Sequence, residues 1–139
     1  MRAFRAMKTR SMLLAAGLLG ASGVALGAFG AHALRAQLTE LGTRDRWETA
    51  VFYQLVHAVA LLGAAAWRRG SETRSGAGRI AWAGRCWTAG TVLFCGSLYA
   101  LALTSHAPLW FKIAVPPLGG SAFIAGWLFV VAAAWGKDE

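Results

Sequence analysis

Read along its length, the chain alternates long stretches free of Lys, Arg, Asp and Glu with short polar intervals. Four uncharged stretches stand out: Ser11–Leu34, Thr49–Trp67, Cys86–Phe111 and Ile113–Gly136. A helix needs about 20 mostly apolar residues to cross the hydrocarbon layer of a bilayer, and each stretch reaches or approaches that length. The pattern predicts an all-α fold, an integral membrane four-helix bundle with helices over about 11–34, 44–67, 80–105 and 113–136, in one membrane domain covering residues 1–139. A short interfacial helix is expected between helices one and two. There Leu34, Leu38 and Leu41 share a face, with Arg35, Gln37 and Glu40 off it. Gly42 suits the end of that helix, Thr43 the cap of the next one, and Asp45 its first turn.

The faces of the predicted spans carry the next layer of information. Gly20, Gly23, Gly27 and Gly30 fall on one side of helix one. Small residues at such spacing let two membrane helices approach closely. The reading is packing against another helix of the same chain, with pairing of two copies as the alternative. On helix two, Trp47, Ala50, Tyr53, Gln54 and His57 lie within a third of the circumference. Polar side chains inside a membrane face the bundle, so this face should point inward. The stretch "RRGSETRSGAGR" after Trp67 is polar, basic and aperiodic, and is expected to lack regular structure. In "VPPLGG", Pro116 and Pro117 remove backbone donors. Helix four should therefore start or kink there, tucked among its neighbours. Trp47, Trp67, Trp82, Trp87, Trp110 and Trp135 sit near segment ends, as interfacial belts require, leaving Trp127 to packing. His106 reads as an interfacial residue.

Composition agrees: 57% of residues are hydrophobic and 14% charged, against about a quarter charged in soluble domains. The net charge of +8 would suit nucleic acid if it were gathered on a soluble face. Instead Arg2, Arg5, Lys8 and Arg10 precede helix one, Arg68, Arg69, Arg74, Arg79 and Arg85 separate helices two and three, and Lys137 follows helix four. The other side holds only Arg35, Arg44, Arg46 and Lys112. Lys and Arg accumulate on the cytoplasmic side. Both termini and the Arg68–Arg85 loop are thus expected in the cytoplasm, in the inner membrane of a bacterium, with attraction to anionic headgroups as an added effect. Nucleic acid is not an expected partner. Ala31-His32-Ala33 resembles a cleavage pattern, but the apolar run before it exceeds the roughly 7–15 residues of a signal peptide core, so helix one is expected to stay. Cys86 and Cys95 are nine residues apart, about 13 Å on a helix, too far for a mutual disulfide. No metal-ligand spacing occurs.

The histidines are the candidate chemistry. His57 falls close to the centre of its span, and His32 about ten residues beyond the centre of helix one, roughly 15 Å nearer the outer face. That offset argues against a shared haem iron. Glu48 lies at the depth of His32, so a His32–Glu48 pair is expected, joined by Arg44 or Arg46. His57, desolvated, should be uncharged, with Gln54, Thr88, Thr91, Ser97 and Tyr99 as prospective partners. Two uses stay open for it: glue between helices, or the wall of a polar pocket for a lipid-like ligand, quinone or other cofactor. A proton path lacks the intramembrane carboxylate it would use.

Taken together, "GAFGAH" at residues 27–32, "WETAVFYQLVH" at 47–57, "FCGSLYAL" at 94–101 and "PLGG" at 117–120 followed by "AGW" resemble the YgdD-like family of small four-helix inner-membrane proteins. Members usually carry threonine where this chain has Pro116. The resemblance implies the same topology and marks His32, Trp47, Tyr53, Gln54, His57, Ser97, Tyr99, Pro117, Gly119 and Gly120 as its signature. It implies no activity, the family being one of unknown function. Glu48 joins the candidate site by its depth alone. With no paired carboxylates, metal cluster or nucleophile motif, the expected role is non-enzymatic: an accessory subunit or a binder of a hydrophobic ligand, with no cofactor assigned. A small oligomeric transporter or channel is the alternative. Expected partners are the bilayer and either a membrane-protein complex or further copies of the chain.

Overall fold

A computed structural model describes residues 7–70, 74–104 and 106–135. They form α1 (Thr9–Ala31), α2 (Arg35–Glu40), α3 (Arg44–Gly70), α4 (Arg74–Gly90), α5 (Gly96–Leu103) and α6 (Leu109–Ala134). Between α4 and α5, Thr91–Cys95 winds as wide π turns, so α4, these turns and α5 make one continuous rod. Four stretches are long and apolar enough to span a bilayer: Thr9–Ala31, Arg44–Gly70, Gly76–Leu103 and Leu109–Ala134. No strand occurs among the described residues. The ends of the rods that carry Lys8, Arg68, Arg69 and Arg79 lie together and are called the basic end below; α2 lies at the outer end.

The ends of the elements follow local chemistry. α1 stops at Ala31, three residues short of the expected Leu34, because His32 leaves helical geometry (φ −119°, ψ −80°). α2 is the short outer helix. Gly42 closes it at φ +63°, with the Gly42 N–H on the Thr39 carbonyl at 3.1 Å and the Thr43 N–H on the Leu38 carbonyl at 2.9 Å. That bond pair is a Schellman cap, which needs a left-handed residue. Thr43 does open α3, its carbonyl accepting from the Arg46 and Trp47 N–H groups. Its hydroxyl instead ties α3 to α5, donating to the Ala102 carbonyl at 2.7 Å. The polar stretch expected to be irregular is largely helical: α3 runs to Gly70 and α4 resumes at Arg74, while residues 71–73 lie outside the described residues.

α1 packs on α3, α4 on α6, and α3 joins the two pairs by contacting α4, the π turns and α5; α1 does not touch α6 among the described residues. Outward-facing side chains are large and apolar. Leu18, Val59, Val92, Ile124 and Leu128 are each more than 60% exposed, the face a bilayer wants. Lipid is as apolar as these residues, so helices gain little by hiding them and associate through close packing instead.

The close packing is done by glycine. A β-carbon on Gly30 would lie 2.4 Å from Trp47 Nε1, and one on Gly23 2.7 Å from Leu55 Cδ2. The glycine ladder therefore meets α3 within the chain, and its face is filled rather than open to a second copy. On the other side, a β-carbon on Gly119 would lie 2.3 Å from the Phe94 backbone nitrogen, and one on Gly126 2.4 Å from Trp87 Cδ1. α6 thus touches the backbone of the π turns at Gly119.

Two expectations are corrected. Helix four neither starts nor breaks at the prolines: α6 begins at Leu109 and carries Pro116 and Pro117 inside it. They are only partly tucked away, since Pro116 is half-buried and Pro117 exposed. The backbone stays helical there, and the close contact falls two residues later, at Gly119. Among the tryptophans, Trp67, Trp82, Trp110 and Trp135 are exposed as belts require, but Trp47 and Trp87 are buried in the bundle. Each fills the space a glycine leaves, Gly30 for Trp47 and Gly126 for Trp87.

The glycine pair of "PLGG" gives a contrast. A β-carbon on Gly120 would meet nothing closer than Phe94 Cδ2 at 3.9 Å. Gly119→Ala should lower stability by about 3 kcal/mol, the upper range of overpacking costs, whereas Gly120→Ala should stay within about 0.5 kcal/mol. Unfolding of each variant in detergent micelles measures both, and equal effects would contradict the backbone contact.

Candidate functional site

α3 carries the polar side chains of the interior, and His57 is the middle residue of its Arg44–Gly70 span. Gln54 and His57 are three residues apart, so they share a face. They nevertheless serve two separate groups of contacts.

Gln54 links three helices. Its amide nitrogen donates to the Leu19 carbonyl at 2.9 Å and to Ser22 Oγ at 2.8 Å on α1. Its amide oxygen accepts from the Tyr99 hydroxyl on α5 at 2.9 Å. Ser22 in turn donates to the Leu18 carbonyl at 2.7 Å. Tyr99 meets the Trp47 ring edge-on, centroids 4.7 Å apart, and the Trp47 indole donates to the Leu26 carbonyl at 2.9 Å. Trp47, Gln54 and Tyr99 therefore form one layer that fastens α1, α3 and α5.

His57 belongs to an aromatic group. Nδ1 lies 2.8 Å from the Tyr53 carbonyl, and Nε2 accepts from the Trp127 indole N–H at 3.4 Å. A carbonyl on one nitrogen and an N–H on the other require one donor and one acceptor, which is the neutral imidazole with its proton on Nδ1. The ring lies parallel to Phe123, 3.7 Å between centroids, and it is 3% exposed. Tyr53 is completed against Phe94, 4.9 Å away. Both ring nitrogens have partners within the bundle.

The expected partners of His57 on the rod have other bonds. Thr88 donates to the Gly84 carbonyl, Thr91 to the Trp87 carbonyl and Ser97 to the Phe94 carbonyl, each at 2.8 or 2.9 Å. Helical Ser and Thr hydroxyls readily bond back to the preceding turn, which removes them as partners across helices. The expected His32–Glu48 pair also does not form. Glu48 accepts from Arg44 Nε at 2.7 Å, one turn away on its own helix, and His32 is exposed at the corner where α1 ends. Pro117 is exposed, Gly120 borders Phe94 at the rim of the aromatic group, and Gly119 abuts the π turns. Of the signature residues, Trp47, Gln54 and Tyr99 meet in one layer and Tyr53 and His57 in the other.

Ser22, Phe123, Trp127 and Trp87 were not legible as members. Phe123 and Trp127 are four apart and in line with Gly119 on α6, a spacing that the apolar helix hides because it is greasy all round. Among the described residues no group of three or more His, Cys, Asp or Glu is placed to hold a metal, and Cys86 and Cys95 are free thiols.

An opening lies beside the aromatic group. Between α3, α4 and α6, toward the basic end, a lipid-facing crevice of about 310 Å³ is walled by Trp67, Trp87 and Trp127, with Gly63 and Ala64 on one side and Val130 on the other. The Trp87 indole N–H is buried and has no hydrogen-bond partner among the described residues.

Comparison with known proteins places the chain. Residues 26–120 match the family described as "Protein of unknown function (DUF423)". The chain is 41% identical to the UPF0382 inner membrane protein YgdD of Escherichia coli K12 over 131 residues, 92% of each chain. It is 41% identical to the UPF0382 membrane protein YwdK of Bacillus subtilis over 111 residues, 80% of this chain and 85% of the relative. A Staphylococcus haemolyticus UPF0382 membrane protein is 40% identical over 108 residues, 78% and 81% of the two chains. No solved structure matches.

The Gln54–Tyr99 bond can be weighed directly. Interhelical hydrogen bonds in membranes are worth about 0.6–2 kcal/mol. A double-mutant cycle of Gln54→Leu and Tyr99→Phe, read by unfolding in mixed micelles, should return a coupling of about 1 kcal/mol. A coupling of zero would remove this bond from the interior.

Proposed function

This chain belongs to the DUF423 family, and on that premise we propose that it is a non-enzymatic membrane protein that holds a hydrophobic ligand in the crevice between α3, α4 and α6. The observation that carries the reading is the crevice itself: about 310 Å³, apolar, walled by three tryptophans and open to the lipid face. Ligand sites are mostly apolar concavities with few polar groups that fix orientation. Here the walls are apolar, and the Trp87 N–H is turned against Gly126 rather than into the crevice, which favours a ligand with an apolar body.

The polar groups at mid-depth support this reading over a transporter. Gln54, Tyr99, His57 and Trp127 bond to one another or to backbone, so they serve packing and do not line a water path. The placement of charge supports the orientation proposed from the sequence. Lys8, Arg10, Arg68, Arg69, Arg79 and Arg85 belong to the basic half, and Arg35, Arg44, Arg46 and Lys112 to the outer half. The basic end then faces the cytoplasm.

A β-carbon on Gly63 would find nothing within 4 Å, so Gly63→Leu should fill the crevice without disturbing the bundle. Native mass spectrometry of protein extracted gently from its own membrane is expected to show a bound small molecule on the parent chain. That mass should be lost in Gly63→Leu and kept in His57→Leu. A bare parent chain, or a ligand retained by Gly63→Leu, would overturn the assignment.

A further inference from the structure

We propose that the groove between α1 and α4 at the basic end binds one acidic phospholipid of the leaflet in which α1 begins. The groove has a volume of about 860 Å³, and Lys8, Ser11, Arg85, Thr88, Val92 and Leu93 are among the residues that line it. Its two ends differ in chemistry. Lys8, the residue that precedes α1, and Arg85 bring two cations to one end. Val92 and Leu93, 64% and 39% exposed, continue the wall down the rod as bare apolar surface.

Arg85 is the charge nearest the apolar span, the last one before the uncharged run Cys86–Phe111. Its guanidinium carbon lies 5.0 Å from the centroid of the Trp82 ring, one turn nearer the basic end, so the side chain reaches back toward the interface as long cationic chains do. Arg68 adds positive charge beside the groove by donating to the Met7 carbonyl.

The two halves fit the two halves of a phospholipid. Basic pockets between membrane helices hold anionic headgroups. The phosphate would sit between Lys8 and Arg85 beside Ser11, with one acyl chain along Val92 and Leu93. Thr88 has already committed its proton to the Gly84 carbonyl, so the charges and not the hydroxyls carry recognition. A zwitterionic headgroup would bring its own cation against Lys8 and Arg85, and this is why the site selects lipids of net negative charge.

The test titrates the purified full chain in detergent with phosphatidylglycerol, and separately with phosphatidylcholine of the same acyl chains, and reads bound lipid by native mass spectrometry. Phosphatidylglycerol should bind more tightly. Lys8→Gln and Arg85→Gln should each weaken it about five-fold, the equivalent of about 1 kcal/mol per cation near a membrane surface. Arg85→Lys should retain most of the affinity, and Gly63→Leu all of it, so this site and the crevice fail separately. Lys8 is exposed, so its variant keeps the test alive if Arg85→Gln does not fold. Equal binding of the two lipids, or unchanged binding in the glutamine variants, overturns the proposal. Displacement of the lipid by inorganic phosphate also overturns it, since the apolar wall would then contribute nothing.

Discussion

The structure depends on how closely two helix backbones approach in a solvent that gives them no hydrophobic reason to meet. Lipid tails are as apolar as the side chains they surround, so association rests on dispersion, hydrogen bonds and geometric fit. At Gly119 the α6 backbone sits where a single methyl group would collide with the Phe94 nitrogen. The π turns of Thr91–Cys95 lie at this contact. Gly90 and Gly126 extend it along the same interface, where added methyl groups would strike Phe123 and Trp87. On the opposite side of α3, Gly23 and Gly30 do the same for Leu55 and Trp47. The bulky aromatic residues of the interior are lodged where glycine leaves room for them.

That close approach sets the terms for the polar groups. A donor or acceptor without a partner in hydrocarbon is expensive, and once the helices are in contact each polar side chain has few candidates. Gln54 resolves this by reaching two neighbouring helices at once. His57 resolves it within a turn of its own helix and with one indole. The second solution fixes the tautomer, because a carbonyl and an N–H cannot both be served by a charged ring. The ring is thereby bonded within the bundle on both nitrogens, and the candidate ligand space lies next to it, behind Trp87 and Trp127.

The sequence carried the spans, the glycine ladder and the Gly42 turn, because each rests on a local rule: uncharged length, helical spacing or a left-handed φ. It carried the inward face of α3 for the same reason. It did not carry which neighbour that face meets. Trp47 and Trp87 stand near the ends of uncharged runs, as belt residues do, and only the glycine opposite each reveals that they are buried. Thr88, Thr91 and Ser97 look like partners for His57 on a helical wheel, yet each bonds back to its own helix. Phe123 and Trp127 are invisible on α6 because that helix has no polar face to set them off. The prolines misled in the other direction, since two missing donors in a row did not end a helix that is otherwise well supported.

The bonds of the bundle are also distributed unevenly along its length. The chain divides into two pairs, α1 with α3 and α4 with α6. Hydrogen bonds that cross between the pairs begin at the outer end with Thr43 to Ala102 and Arg46 to Leu101. They continue to mid-depth with Gln54 to Tyr99 and His57 to Trp127. Toward the basic end the arginines bond inside the pairs instead: Arg68 ties α3 to the start of α1, and Arg79 ties α4 to the end of α6. Each pair is clamped there by an arginine. Both the crevice beside Trp87 and the groove beside Arg85 open on the line between the pairs. On the two proposals made above, lipid-like molecules would enter that line from the leaflet at which the cations stand.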